Sequence, residues 1–406
     1  MKRSPLIVIF ITVFIDLVSF GIVIPLLPFY AQSFGASGVV IGLLLSVFSL
    51  MAFLFMPLWG RLSDRYGRRP ILMITIGSSV VAYLLFSTAF SLWLLFLSRI
   101  LAGIANANIS VAQAYISDVT TVENRSKGMG LIGAAFGLGF IFGPLISGVF
   151  SNEYFGDMKY ALPGYIAAGL CLINFVSAFF MLPESLRADL RIQHSHKVLI
   201  DMQGLKKALH TPQLGLLMAL FFIATVAFSN IYASFPLFIM EPPFHLSSSG
   251  MGWFFAEIGI FSVVVQGGLI GRLTKMFGER NLVFAGTVMM CFGFIGFPVS
   301  SILPEANLAA LSVFVALMAV GSSCMAPTVM SLSSQLADPA EQGSILGIVQ
   351  SFASLARMLG PMIGGMAYDF YGHDMPFILG FVLMIFAIAI SAKILKHHEA
   401  GHSQTT

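Results

Sequence analysis

Charged residues are scarce in this sequence. Only 10% of its 406 residues are Asp, Glu, Lys or Arg, against roughly 25% in soluble domains, and 57% are hydrophobic. A soluble chain has no way to bury so much apolar surface, so the composition indicates an integral membrane protein. The net charge of +3 is too small to indicate a nucleic-acid partner.

Cysteine and the common catalytic motifs are also nearly absent. The three cysteines all lie in apolar runs, so we expect free thiols and no disulfide. There is no Gly-x-Ser-x-Gly and no phosphate loop, so ATP-driven transport has no support. His398 and His402 match the zinc-protease string His-Glu-x-x-His, but they lie in a polar tail with a glycine between them. We therefore expect no catalytic residue, no metal and no cofactor, and we keep a membrane enzyme only as the rival class.

Long apolar runs fill most of the chain. None alternates as a strand does, so we predict an all-α membrane protein with twelve transmembrane helices. The runs fall at 6–29, 38–59, 71–90, 91–117, 127–150, 163–183, 213–240, 250–271, 282–303, 306–335, 344–368 and 375–395.

The longest polar segment divides these runs into two sets of six. We predict an N-terminal six-helix bundle at 1–183, a cytoplasmic linker at 184–211, a C-terminal bundle at 212–395 and a cytoplasmic tail at 396–406. The positive residues, apart from Lys159, Arg99 and Arg357, all fall at the termini and on alternate connections. By the positive-inside rule, both termini are then cytoplasmic.

The two halves repeat each other at several points. The segment from Gly60 to Pro70, Gly-Arg-Leu-Ser-Asp-Arg-Tyr-Gly-Arg-Arg-Pro, has a weaker copy from Gly271 to Asn281. Its charges exclude it from hydrocarbon, so we predict a tight water-facing turn between two helices. Two parallel six-helix repeats are a transporter architecture, with substrate bound near the midplane between them.

These motifs resemble the major facilitator superfamily over essentially the whole chain. Leu97–Gly103 is similar to the intramembrane arginine motif of its antiporters, and Asp16 occupies helix 1 as in drug/proton antiporters. The residues of helix 5 that are similar to the glycine-proline motif of those antiporters are Gly139, Gly143, Pro144 and Gly148. The resemblance is to the tetracycline and multidrug antiporters, and it implies the major facilitator fold.

The sequence departs from the tetracycline exporters at three positions. Those exporters carry acidic residues in helices 3 and 9 and a histidine in helix 8, where this chain has Ala82, Met290 and Ser262. The departure argues against tetracycline itself as the substrate and leaves proton antiport standing.

The resemblance implies a secondary active transporter that exports amphipathic or lipophilic small molecules by proton antiport and alternating access. It implies a monomer in the bacterial inner membrane, with protons and a small molecule as partners and antibiotic resistance as a role. The alternative is a carrier or flippase for an anionic lipid or metabolite, with Arg99 and Arg357 holding the anionic group.

Proton coupling is assigned to Asp16 and Arg99. Asp16 lies about ten residues into helix 1, roughly 15 Å from its inner end, where a carboxylate is costly unless it is protonated, paired or hydrated. Arg99 lies nearer the outer side, so the sequence leaves open whether it reaches Asp16 directly or through water.

Several polar residues are candidates for the substrate cavity, since polar faces within the bundle avoid lipid. On helix 4 they share one helical face with Arg99, and on helix 7 they follow a similar spacing. Glu257 and Arg357 lie at equal depth and are read either as an ion pair or as substrate contacts. The remaining candidates are Asn106, Ser110, Gln113, Thr225, Ser229 and Tyr232.

The resemblance makes the segment from Gly60 to Pro70 a cytoplasmic latch. It implies that Asp64 meets the N-terminus of helix 11 near Gly343 and Ser344, and that Arg68 pairs with Asp118. The simpler alternative is a charged helix end with glycines for the bend. The latch residues are Gly60, Asp64, Arg65, Gly67, Arg68 and Asp118. In helix 5, the small residues are expected to receive Gly267 and Gly268 of helix 8, or simply to pack.

Overall fold

A computed structural model describes residues 5–120, 122–186, 212–303, 307–336 and 342–402, which contain helices and no strand. Twelve stretches of this part of the chain are long and apolar enough to cross a membrane, as predicted. The α-helices are α1 (Pro5–Ser33), α2 (Gly38–Tyr66), α3 (Arg68–Ser87), α4 (Leu92–Asn106), α5 (Ile109–Val119), α6 (Val122–Phe150), α7 (Ala161–Met181), α8 (Pro212–Met240), α9 (Ser248–Val263), α10 (Ile270–Phe277), α11 (Glu279–Ile302), α12 (Asn307–Gln335), α13 (Gln342–Tyr371) and α14 (Met375–His402).

Two of the twelve spans are interrupted, whereas the sequence analysis predicted one continuous helix for each. The fourth span consists of α4 and α5, separated by Ala107 and Asn108. The eighth consists of α9 and α10, joined by a π-helical segment at Val264–Leu269. Such interruptions often occur at functional sites.

The predicted turn at Gly60–Pro70 is much shorter than expected. α2 continues through Tyr66 and α3 begins at Arg68, so only Gly67 lies outside a helix. Its φ of 106° is strained for residues with a Cβ atom, which explains the glycine. The copy is built in the same way, because Gly278 alone separates α10 from α11 with a φ of 77°.

The chain divides into two compact units. Unit 1 contains residues 1–36, 44–197 and 246–259, and unit 2 contains residues 37–43, 198–245 and 260–406. In unit 1, α1 packs on α6 and α7, and α3 packs on α4 and α7. In unit 2, α8 packs on α13 and α14, and α11 packs on α12 and α14. This packing follows the same order in both repeats.

Some predictions fall outside the described residues. They concern most of the linker, at 187–211, and the side chains of 121–130, 337–344 and 396–406, which include Gly343, Ser344, His398 and His402. The boundaries that the sequence analysis gave for the two bundles, the linker and the tail stay a prediction.

Candidate functional site

Asp16 is buried in α1 between two amide side chains of unit 1. It is 6% exposed. Its Oδ2 accepts a hydrogen bond of 2.7 Å from Asn108 Nδ2, and its Oδ1 accepts one of 3.4 Å from Asn174 Nδ2. Val13 and Leu17, on either side of it along α1, belong to a hydrophobic core cluster. The carboxyl group is therefore removed from water and held by neutral donors.

Asn108 reaches Asp16 from the interruption between α4 and α5. The free carbonyl groups around this interruption are satisfied by side chains, since Trp59 Nε1 donates to Ile104 O at 2.8 Å. Ser110 Oγ donates to Met56 O at 3.1 Å and to Ala107 O at 3.2 Å. The Trp59–Ile104 and Ser110–Met56 bonds attach α2 to the interruption.

Arg99, the second predicted coupling residue, has no hydrogen bond or ion pair to Asp16 in the described part of the chain. Its guanidinium group is buried, with 3% of the residue exposed, and lies 5.0 Å from the ring centre of Phe86 and 5.9 Å from that of Tyr83. Among the described residues, its Nη2 has no hydrogen-bond partner. Tyr83 is within electrostatic range of both Arg99 and Asp16.

The predicted polar face of helix 4 does not form one continuous stripe. The interruption separates Asn106, at the end of α4, from Ser110 and Gln113 on α5. The Ser110 hydroxyl donates to the two backbone carbonyl groups named above. Asn106 is half-buried, and Gln113 is exposed. Regular helical spacing did not predict this arrangement, because it assumes an unbroken helix. For the same reason, the sequence analysis did not identify Asn108 as a candidate.

The candidates on α8 have different surroundings from one another. Ser229 is 1% exposed, and its Oγ donates to Ala356 O of α13 at 3.2 Å. This bond joins α8 to α13, and a role of Ser229 in the substrate cavity stays a prediction. Thr225 and Tyr232 are half-buried.

Glu257 and Arg357 belong to different units. Glu257 is half-buried on α9 in unit 1. Arg357 is exposed on α13 in unit 2, where its Nη2 donates to Ser354 Oγ at 3.0 Å. Whether the two pair, or contact a substrate, stays a prediction.

Arg68 joins α2 to α5 at the predicted cytoplasmic end of unit 1. Its Nη1 contacts Asp64 Oδ1 at 2.5 Å, and its Nε contacts Asp118 Oδ2 at 3.1 Å, so the structure brings together the expected Arg68–Asp118 pair. Nη1 also donates to Ser63 Oγ at 2.7 Å. Arg65 lies over Tyr66, 5.2 Å from its ring centre. The predicted contact of Asp64 with the start of α13 stays a prediction.

Glu184 completes this network, and the sequence analysis missed it. Its carboxylate accepts hydrogen bonds from the backbone N–H groups of Arg68 at 2.9 Å and Arg69 at 3.3 Å. These are the first residues of α3, so the acid lies at the positive end of the helix dipole. The signal was available as an acidic residue directly after an apolar run.

The glycines of α6 permit close helix contacts. A Cβ atom on Gly143 would lie 2.6 Å from Gly21 Cα of α1, and one on Gly139 would lie 2.8 Å from Leu17 Cβ. Gly148 and Pro144 instead approach Gly252 of α9.

The α9 glycines that approach α6 are not those predicted. A Cβ atom on Gly252 would lie 2.5 Å from Gly148 Cα, and one on Gly259 would lie 2.4 Å from Phe140 O. Gly268 has nothing within 4 Å of that position. Gly267 and Gly268 lie in the π-helical segment, which belongs to unit 2, so their predicted contact with helix 5 stays a prediction.

A carboxyl group held inside an internally repeated bundle of twelve membrane spans is typical of a secondary transporter. That is the class of protein which this fold and site define. The chain belongs to the Major Facilitator Superfamily, whose family model matches residues 9–310 and again residues 217–406. Within that superfamily it is like the drug/proton antiporters.

Two curated relatives illustrate the similarity. Tetracycline resistance protein, class C, of Escherichia coli is 30% identical over 365 residues, which cover 89% of each chain. Multidrug resistance protein 2 of Bacillus subtilis (strain 168) is 27% identical over 391 residues, covering 95% of this chain and 94% of that protein.

Solved structures show the same fold at lower identity. The human organic anion transporter MFSD10 (TETRAN) aligns with a TM-score of 0.69 and 22% identity, covering 96% of this chain and 99% of that one. The nucleoside transporter NupG aligns with a TM-score of 0.78 and 14% identity, covering 97% and 99%.

Proposed function

We propose that this protein is a proton-coupled exporter of amphipathic or lipophilic small molecules that works by alternating access, with Asp16 as the proton carrier. The single observation that carries the proposal is the setting of Asp16. Its carboxyl group is buried in a membrane span and is bonded to amides, with no cation paired to it among the described residues. A cation at this position would hold the group charged, whereas neutral partners let it bind and release a proton.

The names of the curated relatives support export of antibiotics and other drugs. In this proposal the protein is a monomer in the bacterial inner membrane, with both termini in the cytoplasm. It acts on small molecules and protons, without enzyme activity, a cofactor or nucleic acid.

Tetracycline is not proposed as the substrate. Ala82 and Met290 occupy two of the positions where the tetracycline exporters carry acidic residues, and both are fully buried. Ser262, at the third position, accepts a hydrogen bond of 3.1 Å from Ser323. Substrates are therefore to be sought among other amphipathic or lipophilic small molecules.

The alternative, a carrier for an anionic lipid or metabolite, has weaker support. It requires arginines that are open to an anion. Arg99 is almost fully buried against two aromatic rings, so the anionic group would fall to Arg357, which is exposed.

The test is transport by purified protein in proteoliposomes under an imposed pH gradient, with ethidium as the first probe of a compound panel. Asp16→Asn removes the proton site and is expected to abolish gradient-driven transport. Asp157→Asn changes an exposed acid in the short helix at Glu153–Lys159, and it is the matched control that keeps transport. Full gradient-driven transport by Asp16→Asn, with normal insertion and folding, contradicts the proposal.

A further inference from the structure

We propose that Asn108 is a positioning residue for Asp16, and that the interruption between α4 and α5 serves to place it. Asn108 holds the carboxylate by donating a hydrogen bond and holds the protonated acid by accepting one. The inference rests on the proposed function, because it assumes that Asp16 changes its protonation state.

The backbone around Asn108 is fixed. The Asn108 N–H group donates to Ala105 O at 3.2 Å, and its carbonyl accepts from the Ala112 N–H group at 2.9 Å. The side chain, on a residue that is 2% exposed, makes its 2.7 Å bond to Asp16. The Trp59 and Ser110 bonds described above hold the carbonyl groups of Ile104 and Ala107, which precede Asn108 in the chain. The backbone that carries the Asn108 side chain is therefore fixed by contacts that do not involve Asp16.

An amide suits a group that gains and loses a proton. A carboxylate only accepts hydrogen bonds, whereas a carboxylic acid also donates one. An asparagine carries both an N–H₂ donor and a carbonyl acceptor. By rotating, its amide can donate to the carboxylate or accept from the protonated acid. Neither state then leaves a buried polar group without a partner, which would be costly.

Asn174, the second amide beside Asp16, has a different role. Its Nδ2 donates to Thr12 O at 3.1 Å and lies at 3.4 Å from Asp16 Oδ1. Because the bond to a backbone carbonyl does not depend on protonation, Asn174 fastens α7 to α1 in both states. Asn108 makes the shorter contact to the carboxyl group, so we assign the response to protonation to Asn108.

Few other ionisable groups face Asp16 from the elements packed on α1. Tyr83 of α3 and Cys171 of α7 interact with it electrostatically, and Arg99 of α4 is within range of Tyr83. Between residues 131 and 150, α6 contributes no ionisable side chain. Tyr115 of α5 instead donates to Pro183 O at 3.1 Å. Substituting Asn108 therefore changes the one short hydrogen bond to Asp16 and leaves these groups in place.

The test is infrared difference spectroscopy of the full-length protein in lipid, titrated with pH and without substrate. The carbonyl band of a protonated carboxyl group that disappears in Asp16→Asn reports Asp16. Asn108→Ala removes the hydrogen bond to both forms of Asp16. Because a hydrogen bond to a charged group is stronger than one to a neutral group, the carboxylate loses more, and the midpoint of this band should move up by about one pH unit. Asn108→Asp keeps the size and places two carboxyl groups together, so one proton should remain bound to higher pH than in the wild type.

A matched control separates this effect from loss of packing. Asn230 is 3% exposed, and its Nδ2 donates to Pro376 O at 2.7 Å, with no acid involved. Asn230→Ala should lower thermal stability but leave the midpoint of the Asp16 band unchanged. Should Asn108→Ala fail to fold, the isosteric Asn108→Asp still provides the test.

The outcomes distinguish this inference from the proposed function. If the Asp16 band keeps its wild-type midpoint in the Asn108 variants, the inference is wrong, even where Asp16→Asn abolishes gradient-driven transport. If Asp16→Asn transports ethidium at the wild-type rate, the proposed function is wrong, and the role given to Asn108 in proton coupling is lost with it.

Discussion

Within the described residues, Arg99 is a buried cation without a carboxylate partner. Its guanidinium group lies near the faces of Phe86 and Tyr83, and such cation–π contacts contribute roughly 0.5–2 kcal/mol each. Arg99 has no direct bond to Asp16 among the described residues, so its role in proton coupling stays a prediction.

Substitutions of Arg99 distinguish coupling from anion binding. Arg99→Lys keeps the positive charge and is expected to retain part of the proton-driven transport, whereas Arg99→Gln removes the charge and should lose it for every substrate. If Arg99 instead docks an anion, lysine is a poor substitute for its fork of donors. Measuring export of one lipophilic cation and one lipophilic anion by both variants distinguishes the two roles. Normal cation export by Arg99→Gln would contradict a coupling role.

Helix α6 is shaped by small residues more than by large apolar ones. Gly139 and Gly143 let α1 approach until Leu17 and Gly21 lie against the α6 backbone. Gly133, earlier in the same helix, has nothing within 4 Å of its Cβ position. The same residue type therefore has two different consequences within one helix.

This difference predicts opposite effects for the same substitution. In Gly143→Ala the new methyl group would overlap the Gly21 backbone, so we expect α1 and α6 to separate and thermal stability to fall by about 1–3 kcal/mol. In Gly133→Ala, at an open position, a neutral or slightly stabilising effect is expected, because alanine favours the helix over glycine. Thermal unfolding of the two purified variants provides the measurement. Equal stability of both would show that the close approach of α1 does not matter.

The sequence predicted the continuous helices well and the interrupted ones poorly. Twelve apolar runs are sufficient to identify spans, because lipid requires every backbone group to be paired within a helix. The interruption at Ala107 and Asn108 contains neither proline nor glycine, and the bonds around it come from Trp59 and Ser110. Tertiary contacts of this kind are not visible in helical periodicity. Asp16 was therefore identified from the sequence, whereas its partners were not.

At the scale of the whole molecule, the two repeats share helix packing but differ in chemistry. The repeat places Ala227, which is fully buried, where the first half has Asp16. At the start of α11, Glu279 Oε1 accepts a hydrogen bond from Ser331 at 2.6 Å, and its Oε2 accepts one from Gln335 at 2.9 Å. The corresponding place in unit 1 holds Arg68 with two carboxylates. Among the described residues, the Arg68 network is therefore not repeated at the corresponding place in unit 2.

The charged network gives the last prediction. Arg68→Ala leaves Asp64 and Asp118 without their shared cation, so we expect turnover to fall more than substrate affinity, because the network joins the ends of α2, α3 and α5. Loss of charge-assisted hydrogen bonds should also lower stability by about 2 kcal/mol. Glu279→Gln keeps an acceptor for Ser331 and serves as the matched control at the repeated position. Turnover and ethidium affinity, measured in proteoliposomes for both variants, provide the test. Equal turnover in Arg68→Ala and the wild type would contradict the latch. The segment from Gly60 to Pro70 would then be a charged helix end without a role in the transport cycle.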